Sequence, residues 1–373
     1  MMMKSILSYF YKAGLLLGLL LPLGQIKAET VTDLAGRQVK LPAKVERIVL
    51  GEGRLLYTLA LLEGKQPLKR IAGWQGDLKL LDGQTYRQYQ KQFPEIERIP
   101  LIGKADEESV SSEKVLAVRP DLAIFTLAGH GPDVDSKVLH DLEKAGVPVV
   151  FVDFRVSPLT HTVPSMRLLG KALQREQEAE RFIGFYQQEM DKVRQALTKL
   201  PGNQRPAVLV DLRGGSMPQM MSPGKGSLGE MVAFAGGRNL AADWVPGAMG
   251  EVSVEKVLAA RPPFYLLTGA NAPDAASGLK MGAEIDARLA RDSLLQTARR
   301  GQLGQLPAIR QGQVLGAWHH FYNTPLHVVL VQAMARWMHP DLMQQVNPQQ
   351  TWLRLHQQFL AVAPSGTYWV SGH

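Results

Sequence analysis

Short apolar runs alternate along this chain with segments whose apolar residues recur every third or fourth place. Residues 45–50 form an apolar run that ends at Gly51, and Leu55, Leu56, Leu59 and Leu62 follow at helical spacing. Residues 70–73, 99–102 and 121–127 carry further strand patterns. Val138, Leu139 and Leu142 mark a helix that stops at Gly146. Residues 147–152 are almost continuously apolar, as in a strand buried on both faces. Residues 31–41 read as two short strands around Ala35-Gly36. Strands that alternate with helices predict parallel sheets with crossover connections, an α/β class.

Residues 158–200 break this rhythm. Phe182, Phe185, Tyr186, Met190, Val193, Leu197 and Leu200 lie on one helical stripe, with Ser157-Pro158 at its start and Pro201-Gly202 at its end. Pro164, or the polar stretch near Gln174, is where it could divide in two. Strand and helix patterns then resume at residues 207–212, 226–234, 264–268, 313–317, 326–338 and 349–360. The expected architecture is two lobes with parallel central sheets flanked by helices, joined by a single long backbone helix. The boundaries are 29–157 for the first lobe, 158–200 for the link and 201–373 for the second. A stiff link predicts small domain closure.

The first 28 residues differ from the rest. Lys4 and Lys12 precede a short apolar run, Pro22 and Gly24 break it, and Ala28 ends it, the layout of a secretory signal. The run is shorter than the roughly 20 residues a membrane span needs. With no cysteine in the chain there is no acylated residue at the cleavage point, so a free periplasmic protein is expected. Losing Lys4, Lys12 and Lys27 lowers the formal charge from +8 to +5, which still favours anionic partners. Export and the scatter of basic residues argue against nucleic acid.

One segment occurs twice. Ser-Ser-Glu-Lys-Val-Leu-Ala-Val-Arg-Pro ends at Pro120, and Ser-Val-Glu-Lys-Val-Leu-Ala-Ala-Arg-Pro ends at Pro262. Ser111 and Ser253 can cap short helices whose first turns hold Glu113 and Glu255. A capped helix leading into a strand explains the pattern locally. Two equivalent outward carboxylates would also suit a two-fold symmetric partner bearing paired arginines.

These repeats, the Thr32-Asp33-Leu34-Ala35-Gly36-Arg37 opening, Ser222-Pro223-Gly224-Lys225-Gly226-Ser227-Leu228 and Ala235-Gly236-Gly237-Arg238-Asn239 carry a resemblance. The chain resembles the periplasmic solute-binding proteins of ABC importers for vitamin B12, haem and ferric siderophores. His339-Pro340-Asp341-Leu342 and Asn347-Pro348 resemble the iron-complex branch. The resemblance implies that Glu113 and Glu255 dock onto a dimeric permease in the inner membrane. It implies a monomeric, non-catalytic protein without a cofactor, which captures a bulky ferric siderophore or related iron complex. Haem, vitamin B12 or a bare transition-metal ion is the alternative cargo.

Ligands of open α/β sheets bind beyond the carboxyl ends of the strands. Those loops offer Arg54, Trp74, His130, Arg155, Arg213, Trp244, Trp318 and His319, an aromatic and basic set suited to an anionic chelate. Trp74 and Trp244 could instead cover the edge of the core, and Arg155 and Arg213 could pair with acids. The loop at Thr268-Gly269-Ala270-Asn271 is also a candidate. His319 and His320 are adjacent, and on strand-like backbone they would point apart, so direct metal ligation is not expected. Phosphate-loop, nucleophile-elbow and zinc-protease spacings are missing, which argues against catalysis.

Overall fold

The structure is a computed structural model that describes residues 29–270 and 277–373. The signal segment and Asn271 lie outside the described residues. Two five-stranded sheets organise the chain. The first contains β1 (Ile48–Leu50), β2 (Ile71–Gln75), β3 (Leu101–Gly103), β4 (Leu122–Thr126) and β5 (Val149–Val152). Its order is β3-β2-β1-β4-β5, all parallel. The second contains β6 (Ala207–Asp211), β7 (Arg238–Asn239), β8 (Phe264–Gly269), β9 (Val314–Trp318) and β10 (Trp369–Ser371). Its order is β7-β6-β8-β9-β10, parallel except for β10. The expected bilobed α/β fold is therefore the one observed.

Nine of the helices among the described residues connect or flank these strands. They are α1 (Leu56–Glu63), α2 (Asp77–Leu81), α3 (Ser112–Ala117), α4 (Pro158–Leu173), α5 (Glu176–Ala196), α6 (Leu228–Phe234), α7 (Val254–Ala260), α8 (His327–Met338) and α9 (Pro348–Phe359).

Side-chain alternation divides the core of the first lobe. Val49, Ala123, Phe125, Val149 and Phe151 share one face of the sheet with Ile102, Val115 and Leu142. Ile48, Leu50, Ile124, Val150 and Val152 share the other face, which is continuous with α1, α5 and the core of the second lobe. Each fully buried side chain of this kind stabilises the fold by about 1.5–3 kcal/mol.

The link differs from a single rod. Gln174 adopts a left-handed φ of 54°, and α4 and α5 fold back on one another. Gly170 permits this approach, since a Cβ there would lie 2.7 Å from Cβ of Ala179. Arg167 donates to Glu180 across the hairpin at 2.7 Å. Pro164 is held inside α4, so the polar stretch, not the proline, makes the break.

Helix α5 packs against α1 of the first lobe and α8 of the second. Its buried Glu189 fixes the second contact. One carboxylate oxygen accepts from Arg354 of α9 at 2.7 Å, and the other accepts from Gln332 of α8 at 2.9 Å and Thr351 of α9 at 3.0 Å. Lys192 donates to both. A buried carboxylate needs this many donors to remain charged in the interior.

Candidate functional site: the interlobe cleft

In the first sheet, consecutive strands lie to one side of β1 and β4 starts the other side. The topological switch point is thus between β1 and β4. In the second sheet it lies between β6 and β8. The loops leaving these two points face one another.

Glu52, directly beyond β1, organises the first lobe's side. Its Oε1 accepts from the Thr126 hydroxyl at 2.7 Å and from His130 N–H at 3.1 Å. Its Oε2 accepts from Arg54 at 2.8 Å and Arg155 at 3.1 Å. Gly129 lets the loop pass close by, because a Cβ there would fall 1.7 Å from Glu52 Oε1. Burial alone would raise the Glu52 carboxyl. Arg155, Arg54 and the Thr126 hydroxyl overcome that and lower it to about 2. Arg54 also donates through Nε to Asp77 at 2.6 Å, at the start of α2.

The second lobe contributes Arg213, Ser216, His319, His320 and Tyr322. Arg213 has a left-handed φ of 52°, and its N–H donates to Thr268 Oγ1 at 2.9 Å. The same hydroxyl lies 2.9 Å from His319 Nδ1. After β9 the backbone enters a 3₁₀ turn, His319–Asn323, instead of continuing as a strand. Both His319 and His320 therefore line the cleft, contrary to the strand-based expectation that their rings diverge. His320 lies 3.4 Å from Arg54 through Nδ1 and 3.2 Å from Leu81 O through Nε2. Tyr322 accepts from Arg54, and the Arg155 guanidinium sits 5.0 Å from its ring centroid.

These loops enclose a cavity of about 50 Å³. Arg54, His130, Arg213 and His319, all singled out from the sequence, line it, as do Leu81, Ser216, Ala270, His320 and Tyr322. Arg155 stands behind it, on Glu52 and Tyr322. The three expected tryptophans are elsewhere. Trp318 is 1% exposed and packs edge-on against Tyr57, Phe321 and Tyr368 beneath the site. Trp244 is half-buried under the Lys256 ammonium, 4.7 Å from its ring, on the side of the repeated helix α7. Trp74 is buried and lines a different hollow of the first lobe.

Electrostatically the cleft favours an anion. Arg54 and Arg155 are matched by Glu52 and Asp77, while Arg213 has no ion-pair partner among the described residues. Burial and the neighbouring arginines hold His319 and His320 well below the usual imidazole range. Burial and Arg54 lower His130 to about 4. All three rings are therefore neutral at pH 7. Burial would raise the Tyr322 phenol, but Arg155 and Arg54 outweigh it and lower it. Neutral imidazoles and an acidified phenol are metal donors. Among the described residues, however, no group of three or more His, Asp or Glu side chains is arranged to hold a metal ion.

The repeated segments are built alike. Lys114 N–H and Lys256 N–H donate to the capping hydroxyls of Ser111 and Ser253. Val115 and Val257 are fully buried, and Arg119 and Arg261 both adopt left-handed φ, 46° and 47°. Glu113 and Glu255 are both exposed.

Comparison with known proteins agrees with this architecture. A family model described as periplasmic binding protein matches residues 82–316. No curated protein matches the sequence. Among solved structures, a TroA-like periplasmic binding protein, FepB from Veillonella parvula, is similar at 23% identity. The match covers 92% of this chain and 99% of that one, with a TM-score of 0.80. The periplasmic molybdate-binding protein MolA of Haemophilus influenzae, bound to molybdate, is 18% identical, covers 91% and 99%, and has a TM-score of 0.70. CeuE of Helicobacter pylori with Ni(II) bound is 14% identical, covers 90% and 97%, and has a TM-score of 0.66. At these identities the solved structures share the fold. The family match spans well over half of the chain, and the chain accordingly belongs to the periplasmic binding protein family, the non-catalytic solute-capturing components of ABC importers.

Proposed function

We propose that this protein captures a compact, metal-bearing anion in the interlobe cleft and presents it to its ABC permease. The observation that carries this is the guanidinium of Arg213, which has no ion-pair partner among the described residues and lines a small cavity whose other arginine, Arg54, is already paired. A cavity of about 50 Å³ suits a metal oxyanion or the anionic centre of a small carboxylate chelate. Drug-sized ligands occupy roughly 300–1,000 Å³, so the bulky ferric siderophore expected from the sequence would need the lobes to part. MolA, which shares this fold, is described with molybdate bound, a cargo of the favoured size.

A ferric siderophore of the iron-complex branch is the second reading. Arg54, Arg155 and Arg213 lie together at the cleft, which suits the high negative charge of a ferric catecholate. Calorimetric titration of the purified protein with molybdate, ferric citrate, a ferric catecholate, haem and cobalamin separates the two. Submicromolar binding of molybdate or ferric citrate, weakened by Arg213→Ala, supports the main reading. Binding of the catecholate, haem or cobalamin alone would replace it.

The same proposal assigns Glu113 and Glu255 to permease docking. What supports it is their equivalent exposure in the first turns of α3 and α7. We place the lobe boundaries at 29–157 and 201–373, with residues 158–200 as the link.

A further inference from the structure

A second cavity lies in the first lobe, on the far side of α2 from the cleft. It holds about 350 Å³. Helix α2 divides the two spaces, giving Leu81 to the cleft and Leu78 and Leu80 to this cavity. Trp74 and Tyr86 supply aromatic surface to it. Leu80 and Leu101 lie on it and are 48% and 57% exposed, among the most exposed large apolar side chains of the molecule. Exposed apolar side chains gathered around an aromatic hollow mark a binding site more than a defect of packing.

Two charges define what the hollow would take. Lys79 and Lys104 both line it, and neither has a carboxylate partner among the described residues. The Lys79 ammonium stands 5.1 Å from the Tyr86 ring centroid, which keeps it over the aromatic wall. Glu97, the acid of the lining, accepts from Gln90. Gln75 also lines the cavity. Its Nε2 donates to Asp106 O and His130 O, whereas its fully buried Oε1 has no partner. An apolar, aromatic-walled hollow flanked by two ammoniums that have no carboxylate partner among the described residues fits a flat aromatic ring bearing a carboxylate.

We infer that this cavity is a second ligand site, for a small aromatic carboxylate, distinct from the solute cleft. It stands independently of the cargo reading, since none of its charged residues belongs to the cleft. The test is calorimetric titration of the purified protein with 2-naphthoate, and with neutral 2-naphthalenemethanol for comparison. One saturable site for naphthoate is expected. Leu101→Glu, a change at an exposed position, should weaken it at least about tenfold by placing a carboxylate against the ligand's own. The double variant Lys79→Gln/Lys104→Gln should weaken naphthoate about tenfold and leave the alcohol unchanged. Arg213→Ala should leave naphthoate binding intact. Failure to saturate at millimolar naphthoate, unchanged affinity in Leu101→Glu, equal loss of both probes in the lysine variant, or loss in Arg213→Ala would each overturn the inference.

Discussion

Arg54 spans the two lobes: its Nη1 donates to the phenolic oxygen of Tyr322 at 3.2 Å, 268 positions further along the chain. The same guanidinium holds Glu52 and Asp77, so a single side chain ties the loops beyond β1 and β2 to the loop beyond β9.

Arg54→Ala should therefore destabilise the protein strongly. It leaves two buried carboxylates without their shared cation, a loss of about 3–5 kcal/mol. Urea denaturation followed by tryptophan fluorescence measures it, and a loss under about 1 kcal/mol would contradict the buried pairing.

Tyr322 should ionise earlier than an ordinary tyrosine. Arg155 and Arg54 favour its phenolate despite burial. Ultraviolet titration should reveal one tyrosine that ionises ahead of the others in the wild type and none in Tyr322→Phe. Identical titration curves would remove the effect.

Stability should fall as the solution is acidified below pH 6.5. Burial lowers His327 and His356 from 6.5 to about 4. Between these values the unfolded chain binds protons that the folded chain does not, so unfolding becomes more favourable as pH falls. Each histidine contributes up to about 1.4 kcal/mol per pH unit within that window. His327 Nε2 pairs with the Tyr186 hydroxyl at 2.7 Å and its Nδ1 with Thr324 O at 2.9 Å, which fixes a neutral ring. Urea midpoints measured from pH 7 to 4 should slope less steeply in His327→Gln. Equal slopes would show that His327 does not titrate in this window.

Reversing the charge of Glu113 and Glu255 together should spare the cleft and block delivery. Both side chains are exposed on short capped helices, so Glu113→Arg/Glu255→Arg should fold normally. Solute affinity of the isolated protein should match wild type while transport by the assembled importer is lost. Normal transport would remove the docking role.

The parts of the fold legible in the sequence are those where periodicity had room to repeat. The apolar run that became β5 and the stripe along α5 each repeat a pattern over several residues. Helix α2 has five residues, too few to display a period, and it brings Asp77 and Leu81 to the cleft. The following helix, Gly83–Gln92, is polar apart from Tyr86 and Tyr89, so no stripe announces it. In the cleft, strand-end logic located Arg54, His130, Arg213 and His319. The loop at residues 318–322 is a candidate too, but strand-end logic could not foresee the 3₁₀ turn that directs both His319 and His320 into the cleft. The tryptophans went astray for a simpler reason: a large ring near a strand end fills core as readily as it lines a cleft.

The anchoring of α5 through Glu189 sets how a guest departs. Gln332, Thr351 and Arg354 fasten this brace to the second lobe and it lies across α1 of the first, an arrangement that resists wide swinging of the halves. Escape then waits on rare, shallow breathing, and tight retention shows up as long residence more than as rapid arrival. Delivery should then depend on the permease prising the lobes apart.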